Sequence, residues 1–263
     1  MFSPILASKK IVIIGGTSGM GLSAAKAFID EGAVVVVVGN DETRSQTARQ
    51  ELGENASIIT ADATLESTAE EAIQSCYNQF GGFDALYHVA GGSGRKMGDG
   101  PLHELTLEGW NKTLELNLTS LMLSNQAAIR QFLRQETGGV ILNMGSVLGF
   151  SPSPQYFSTH AYAAAKSAVI GFTKSVAAYY AKFNIRVNVI APALVETPMS
   201  QRAAGDEAVL GFIKTKQPLD GGRIGHPSDL DALAVYFMGD QSKFTTGQVV
   251  AVDGGWSISE GHS

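Results

Sequence analysis

The chain has 263 residues, of which 30 are Gly and 1 is Cys, and its net charge is −6 at pH 7. A single cysteine excludes an intrachain disulfide scaffold and a zinc site built on paired cysteines, and no metal site is predicted. The acidic charge, with no long basic segment, argues against nucleic acid as a partner. The longest apolar run, residues 33–38, is too short to cross a membrane. With no recognisable secretory signal, a cytoplasmic protein without a membrane partner is expected.

Short apolar runs rich in β-branched residues alternate along the chain with stretches of helical spacing. The predicted strands cover residues 11–14, 33–38, 56–60, 83–89, 140–143, 185–190 and 249–252. The predicted helices cover residues 21–31, 42–52, 64–80, 106–134, 161–183 and 227–238, with helical pieces in a looser region at 192–216. Apolar strands alternating with helices are typical of a parallel sheet covered on both faces. The sequence therefore predicts one α/β domain over residues 1–263, a doubly wound, Rossmann-type sandwich.

A glycine-rich loop follows the first predicted strand and leads directly into a helix. Its sequence is Gly15-Gly16-Thr17-Ser18-Gly19-Met20-Gly21. Glycines allow a tight turn and a close approach of the backbone to a pyrophosphate, and a helix N-terminus offers N–H donors. The alternative is a glycine-rich connection that binds nothing. The strand–loop–helix context favours a dinucleotide site, and the absence of a following Gly-Lys-Ser/Thr excludes a P-loop.

The end of the second predicted strand lacks the acidic residue that usually binds a ribose at this place. The chain there reads Gly39-Asn40-Asp41. Asn40 is a candidate for a hydrogen bond to the ribose, and Arg44 is a candidate partner for a 2′-phosphate. Asp41 is expected to cap the following helix instead.

Tyr162 and Lys166 are four residues apart in a predicted helix, so their side chains project from one face. Ser146 follows the predicted strand at 140–143, and Asn117 lies in the predicted helix at 106–134. An ammonium group about 4 Å from a phenol contributes enough to lower the phenol's pKa by about three units. Lys166 is therefore expected to bring Tyr162 near neutral pH as an acid/base group, while Ser146 polarises a carbonyl oxygen. The alternative is an amphipathic helix edge with a solvated lysine.

In this order, the motifs resemble those of the short-chain dehydrogenase/reductases, over residues 10–256. The resemblance rests on the glycine loop, Asp62, Ala90-Gly91, Asn117, Ser146, Tyr162 with Lys166, Asn188-Val189-Ile190-Ala191-Pro192, Thr197-Pro198-Met199, Arg223…Gly225…Pro227, Thr246-Gly247-Gln248 and Val252-Asp253-Gly254-Gly255. It implies an NAD(P)-dependent oxidoreductase that interconverts an alcohol with a ketone or aldehyde.

The resemblance implies a catalytic role for four residues. Tyr162 would be the general acid/base, Lys166 would lower its pKa and hold the nicotinamide ribose, and Ser146 would orient the substrate oxygen. Asn117 would position a water between Lys166 and solvent. Gly15, Gly19 and Gly21 would line the pyrophosphate, Asp62 the adenine and Thr197 the carboxamide. The full set of cofactor contacts is Gly15, Thr17, Ser18, Gly19, Met20, Gly21, Asn40, Asp62, Ala63, Ala90, Gly91, Tyr162, Lys166, Pro192, Val195 and Thr197.

The sequence also departs from the family's usual pattern. The departures are Ile14 before the loop, His88-Val89 before Ala90, Ala193 after Pro192, and extra residues between Ser146 and Tyr162. His88 is expected to be a buried, hydrogen-bonded histidine, with a substrate or cofactor contact as the alternative. Asp62 is expected to cap the helix at 64–80, to contact the adenine, or both. With no acid at the tip of the second strand, the cofactor choice leans to NADP(H) over NAD(H).

The expected substrate pocket lies between residues 92–103, 146–162 and a substrate lid at about 192–219. Apolar lid residues would cover a hydrophobic substrate, or pack on the protein's own core or another subunit: Leu194, Met199, Val209, Leu210, Phe212 and Ile213. Arg95 and Lys96 would meet an acidic substrate group or lie in a solvated loop. Two rival functions stay open, a non-catalytic cofactor-binding sensor or scaffold and a reductase of activated C=C bonds. A homotetramer, or a dimer, is expected to form through the Ala-rich helix at 161–181 and the C-terminal strand.

Overall fold

Seven parallel strands form one sheet in the computed structural model, which describes residues 4–261. Their order across the sheet is β3-β2-β1-β4-β5-β6-β7. The strands are β1 (Lys10–Ile14), β2 (Val34–Gly39), β3 (Ala56–Thr60), β4 (Ala85–His88), β5 (Gly139–Met144), β6 (Ile185–Pro192) and β7 (Val249–Val252). The order reverses between β1 and β4, as in a doubly wound sheet. The predicted α/β class and topology are therefore confirmed.

Nine α-helices accompany the sheet in the described part of the chain. They are α1 (Gly19–Asp30), α2 (Glu42–Leu52), α3 (Glu66–Phe80), α4 (Leu107–Leu114), α5 (Ser120–Gln135), α6 (His160–Tyr180), α7 (Gln201–Ala204), α8 (Glu207–Lys216) and α9 (Asp231–Met238). The predicted helix at 106–134 is interrupted, since a π-helical turn, Glu115–Thr119, joins α4 to α5. Among residues 4–261, no helix is long and apolar enough to cross a membrane.

The strands bury side chains on both faces of the sheet. Ile11 and Ile13 of β1 pack in one apolar cluster with Phe28 of α1, whereas Val12 and Ile14 point into a second cluster on the opposite face. This alternation follows from the two-residue period of a strand. Each fully buried side chain of this size contributes roughly 2 kcal/mol by leaving water. The near-continuous apolar strands of the sequence are thus explained by a core on each side.

The turn between β1 and α1 packs so closely that it requires glycine. Gly15 has a φ of +88°, and a Cβ there would lie 2.5 Å from the backbone nitrogen of Ala90. A Cβ on Gly21 would clash with the Gly15 carbonyl oxygen and lie 2.8 Å from the Cα of Gly16. Side chains are therefore excluded between the first turn of α1, the loop and the end of β4.

Residues that follow the strands gather at one edge of the sheet because all seven strands run in parallel. Asp41 accepts a hydrogen bond from the Arg44 N–H at 2.9 Å and caps α2, as predicted. Asp62 accepts bonds from the Thr64 N–H at 2.9 Å and its hydroxyl at 2.8 Å. Because α3 begins at Glu66, two residues later than predicted, Asp62 shapes the preceding turn and is not the helix cap.

Asp99 anchors the start of α6 from a distant loop. The Thr159 side chain makes no capping bond there. The Asp99 carboxylate instead accepts hydrogen bonds from the N–H groups of Ala161 and Tyr162, at 2.9 and 3.0 Å. Asp99 is 5% exposed, so water has little access to replace these bonds. A buried carboxylate thereby holds the helix end that carries the Tyr162–Lys166 pair.

Asp99→Ala should lower the free energy of unfolding by about 2 kcal/mol, because two buried N–H groups lose their acceptor. The matched control is Asp206→Ala. Asp206 also accepts two N–H bonds, at the start of α8, but is more exposed, so the expected loss there is about 1 kcal/mol. Urea unfolding of the three proteins measures both values, and a loss for Asp99→Ala no larger than the control's would contradict the anchoring role.

Candidate active site

A cleft with two chambers opens at the carboxyl edge of the sheet. The apolar chamber, named for its walls, lies beyond the ends of β5 and β6. The glycine-loop chamber lies beyond β1, β2 and β3. Five residues line both chambers and join them into one cleft: Met20, Val89, Gly91, Thr197 and Met199.

Ser146, Tyr162 and Lys166 meet in the apolar chamber, as the sequence predicts. The Ser146 hydroxyl accepts a bond from the Leu148 N–H at 3.2 Å and is close enough to Tyr162 to lower the pKa of that phenol. The Lys166 Nζ lies 5.6 Å from the centroid of the Tyr162 ring and donates to the Met144 carbonyl oxygen at 2.9 Å. A hydroxyl pair and a buried ammonium group therefore share one site.

The expected direction of the Tyr162 pKa is wrong. Enclosure in the cleft raises the pKa of Tyr162 to about 12, and the nearby Ser146 hydroxyl only partly opposes this rise. Burial also lowers the pKa of Lys166 to about 8. Desolvation disfavours both charged forms, and the ammonium group is directed to the Met144 carbonyl. At neutral pH Tyr162 is therefore a neutral phenol beside a protonated lysine.

Asn117 lies behind the chamber wall and is fully buried. Its side-chain NH₂ donates to the carbonyl oxygens of Gly92 and Thr113, both at 2.9 Å, and its Oδ1 accepts from the Gly92 N–H at 3.0 Å. The π-helical turn carries Asn117 at its centre, a backbone irregularity that often marks functional sites. The side chain thus fixes the loop after β4, and the predicted contact with a water stays a prediction.

His88 is a buried, hydrogen-bonded histidine, as expected. It is fully shielded from solvent, and its Nδ1 lies 2.8 Å from the Ser124 hydroxyl. Burial and the nearby charge of Lys166 lower the pKa of His88 to about 3. The imidazole is therefore neutral at physiological pH and packs beneath the site.

Most of the predicted cofactor residues surround the glycine-loop chamber. Its walls include Gly15, Thr17, Ser18, Gly19, Met20, Asn40, Asp62, Ala63, Ala90, Gly91 and Thr197. Pro192, Val195, Tyr162 and Lys166 line the apolar chamber instead. Gly21 is buried beneath the loop, where it allows close packing and does not line either chamber.

The glycine-loop chamber fits a dinucleotide. No side chain caps the first turn of α1, although Ser18 occupies the N-cap, so backbone N–H groups there face the chamber. These donors and the helix dipole suit a pyrophosphate. Asp62 and Asn40 offer polar groups where adenosine would lie. The walls therefore suit a dinucleotide. The loop would hold its phosphates, and the polar residues farther out would contact its base and ribose.

The neighbouring Thr17 side chain requires a glycine at residue 39, at the tip of β2. A Cβ at this position would clash with the Thr17 Oγ1 and would also lie 2.6 Å from its Cγ2 and 2.8 Å from its Cβ. Rotation of Thr17 exchanges the first two atoms and does not move the third. No acidic side chain therefore fits at residue 39, while Asn40 and Arg44 line the chamber beside it.

The three expected segments line the apolar chamber. Its walls include Leu148 and Phe157 from residues 146–162, and Leu194 and Met199 from residues 192–219. The other lid residues divide between the predicted roles: Val209 and Ile213 are buried in a cluster with Trp256, Phe212 packs at its edge, and Leu210 is 38% exposed. Part of the segment at 192–219 therefore packs on the protein's own core.

Several site residues were missed by sequence reasoning. Trp256 closes the chamber floor, with its Nε1–H donating to the Ser151 carbonyl oxygen at 3.2 Å. Its position after the Gly254-Gly255 pair could have suggested a buried anchor. Arg202 of the lid and the Met144 carbonyl carry no local sequence signal. Arg95 lines the chamber, whereas its neighbour Lys96 is exposed outside it.

Comparisons with known proteins agree with this geometry. A family model described as enoyl-(acyl carrier protein) reductase matches residues 15–257. The chain is 33% identical over 256 residues to the 2,5-dichloro-2,5-cyclohexadiene-1,4-diol dehydrogenase LinX of Sphingobium indicum, covering 96% of this chain and 98% of that protein. It is 30% identical over 259 residues to the 3beta-hydroxysteroid dehydrogenase 2 of Eggerthella lenta, covering 97% of both.

A third relative and a solved structure extend the agreement. The 3-oxoacyl-[acyl-carrier-protein] reductase FabG of Chlamydia muridarum is 31% identical over 255 residues, covering 95% of this chain and 98% of that protein. A short-chain type dehydrogenase/reductase from Mycobacterium ulcerans superposes with a TM-score of 0.88 at 28% identity, covering 97% of this chain and 92% of that one. The sheet order, the motifs and these relatives lead to one conclusion: the chain belongs to the short-chain dehydrogenase/reductase family of NAD(P)-dependent oxidoreductases.

Proposed function

We propose that this oxidoreductase interconverts an alcohol and a ketone or aldehyde, with Tyr162 as the general acid/base. The observation that carries the proposal is the meeting of the Ser146 and Tyr162 side chains in one chamber beside the buried ammonium of Lys166. Two hydroxyls that share a small site can both donate to one carbonyl oxygen. The apolar chamber excludes water around them and strengthens these bonds.

Ser146 orients the substrate oxygen and Tyr162 transfers the proton. Because the pKa of Tyr162 is raised to about 12, the phenol holds its proton at neutral pH. That is the form that donates to the oxygen of a ketone as it becomes an alcohol. The opposite direction requires the phenolate, because a base must accept the proton of the alcohol. Alcohol oxidation by this chain is therefore favoured at higher pH than carbonyl reduction.

A nicotinamide cofactor, when bound, supplies or accepts the hydride. The proposed residues for holding it are the glycine loop for the pyrophosphate, Asp62 near the adenine, and Thr197 near the carboxamide. Lys166 is the proposed partner of the nicotinamide ribose. Asn117 supports the site by fixing Gly92, and it is the proposed residue for positioning a water that links Lys166 to solvent.

The matching family model is described as an enoyl-(acyl carrier protein) reductase, so reduction of an activated C=C bond is a second candidate function. That reaction also needs a hydride and a proton donor. It does not need a second hydroxyl beside the first, because its proton goes to carbon. The Ser146–Tyr162 pair therefore favours carbonyl chemistry. A panel of ketones, alcohols and enones with either cofactor separates the two candidates.

NADP(H) is the proposed preferred cofactor. Arg44 lines the chamber beside Asn40, and its side chain is exposed and has no ion pair among residues 4–261. A guanidinium group there suits a 2′-phosphate. At Gly39, where an acid would repel that phosphate, Thr17 leaves no room for a side chain.

A homotetramer, or a dimer, is the proposed assembly. Edge strand β7 is apolar yet only half-buried in the single chain. Phe244 and Ile258, on either side of it in sequence, are 103% and 92% exposed. A second copy of the chain would cover these groups. The segment at about 192–219 is the proposed substrate lid, and a cytoplasmic location stays a prediction.

Tyr162→Phe should reduce kcat/KM for the best carbonyl substrate by at least about a hundredfold, because the variant has no proton to donate. Cofactor binding, followed by nicotinamide fluorescence, should persist. The matched control is Tyr77→Phe, at an exposed position on α3, which should leave both measurements unchanged. Unchanged turnover in Tyr162→Phe would refute the assigned chemistry.

The wild-type chain should use NADP(H) with at least about tenfold higher kcat/KM than NAD(H), and Arg44→Ala should remove most of that difference. Arg49→Ala is the control, since Arg49 lies on the same helix but contacts the Ile58 carbonyl oxygen and does not line the chamber. A tenfold preference for NAD(H) in the wild type would overturn the proposed cofactor.

Light scattering at micromolar concentration should give the mass of four chains, or of two. Phe244→Glu should shift the population to smaller species, because a charge would be buried at the contact. Leu65→Glu is the control, since Leu65 is 58% exposed near β3 on the opposite edge of the sheet. A monomeric wild type would contradict the assembly.

A further inference from the structure

Two arginines from different segments face the apolar chamber. Arg95 comes from the loop after β4, and Arg202 comes from α7 in the lid. Arg95 is half-buried, and its Nη2 donates to the Tyr156 carbonyl oxygen at 2.9 Å. That single bond fixes the guanidinium and leaves most of its N–H groups free for another partner. Burial and the charge of Arg202 lower the pKa of Arg95, so the two cations are close enough to repel each other.

Neither arginine forms an ion pair within the part of the chain that the structure describes. The residues that line the apolar chamber include no Asp or Glu. Asp99 lies near Arg95 and offsets part of its charge, while its two oxygens accept the Ala161 and Tyr162 N–H bonds. The two guanidinium groups therefore keep a net positive charge at the chamber, because one carboxylate faces two cations.

The rest of the chamber is mostly apolar, with further hydroxyls from Ser93, Thr159, Thr197 and Ser200. Leu148, Phe157, Met199 and Trp256 form its walls. A substrate that fits must therefore carry a hydrophobic body between two polar ends. The polar groups available to it include the hydroxyls of Ser146 and Tyr162 and the two guanidinium groups.

We propose that the substrate carries an anionic group, a carboxylate or a phosphate, which binds between Arg95 and Arg202 while its hydroxyl or carbonyl group meets Ser146 and Tyr162. This proposal rests on the proposed function and adds the substrate class. Arginine binds carboxylates and phosphates through paired N–H bonds, and these are strengthened at Arg95, which is half-buried, whereas Arg202 is exposed. The 2′-phosphate of a cofactor is a separate anion, because Arg44 and Asn40 lie in the other chamber.

The pair also links substrate binding to the lid. Arg202 lies on the four-residue helix α7, and Arg95 lies on the loop after β4. An anion that contacts both would remove their mutual repulsion and hold the lid against the loop after β4. A neutral substrate of the same shape gains neither effect.

The test measures binding, so that it does not depend on turnover. The protein, saturated with NADPH, is titrated by calorimetry with phenylacetate, phenylpropanoate and phenylbutanoate, each compared with its primary amide. The corresponding phosphonates distinguish a carboxylate site from a phosphate site. In the wild type, the best acid should bind at least about tenfold more tightly than its amide, and more weakly as salt rises.

The variant is Arg95→Gln with Arg202→Gln, and the control is Lys96→Gln, which removes the neighbouring exposed charge. The double variant should lose the preference for acid over amide to within about twofold, and the control should keep it. Because the preference is a ratio measured within one protein, a general loss of stability cancels. Equal binding of acids and amides, no binding of any acid, or a preference that survives the double variant would each overturn the proposal.

Failure of the proposed function gives a different result. In that case no ketone, alcohol or acid derivative is turned over with either cofactor, while the arginine-dependent acid binding persists. If neutral ketones are turned over and the acids bind no better than their amides, the oxidoreductase assignment stands and the anionic substrate class is wrong.

Discussion

A buried ammonium group without an acidic partner governs the chemistry of this site. Lys166 is 3% exposed, and in the described part of the chain its Nζ has a backbone carbonyl, that of Met144, as its partner. An unpaired buried charge is costly, so its pKa falls to about 8 and its neighbours must not add positive charge. His88 meets that condition by remaining neutral. The cation can then act on whatever negative charge develops at Tyr162.

The parallel sheet provides the carbonyl group that makes this burial possible. Ser146 and the Met144 carbonyl follow from the end of β5, and Gly91 follows β4, so residues far apart in sequence reach one edge without long loops. Helix α6 crosses above that edge and is held by Asp99. The same edge carries the glycine loop. The parallel direction of all seven strands therefore creates both chambers and their junction.

The sequence predicts the strands well because their buried faces need consecutive β-branched residues, as in residues 34–38 of β2. It predicts the glycine loop and the Tyr162–Lys166 pair because local spacing alone determines their geometry. Contacts between residues far apart in the sequence cannot be predicted in this way. The bonds from Asp99 span more than 60 residues, and the π-helical turn at Asn117 depends on packing against Gly92. The pKa of Tyr162 was predicted in the wrong direction because spacing reveals a charge but not the extent of desolvation.

The contact between Gly39 and Thr17 restricts how cofactor choice could evolve. An acidic residue at position 39 is blocked as long as Thr17 fills the space of its Cβ. A side chain at position 39 requires Thr17 to shift or to be replaced by a smaller residue. The residues at positions 17 and 39 are therefore coupled, so that an acid at the tip of β2 depends on which residue the glycine loop carries at position 17. Substitutions at Asn40 and Arg44, which are exposed, meet no such barrier and offer the shorter route for engineering.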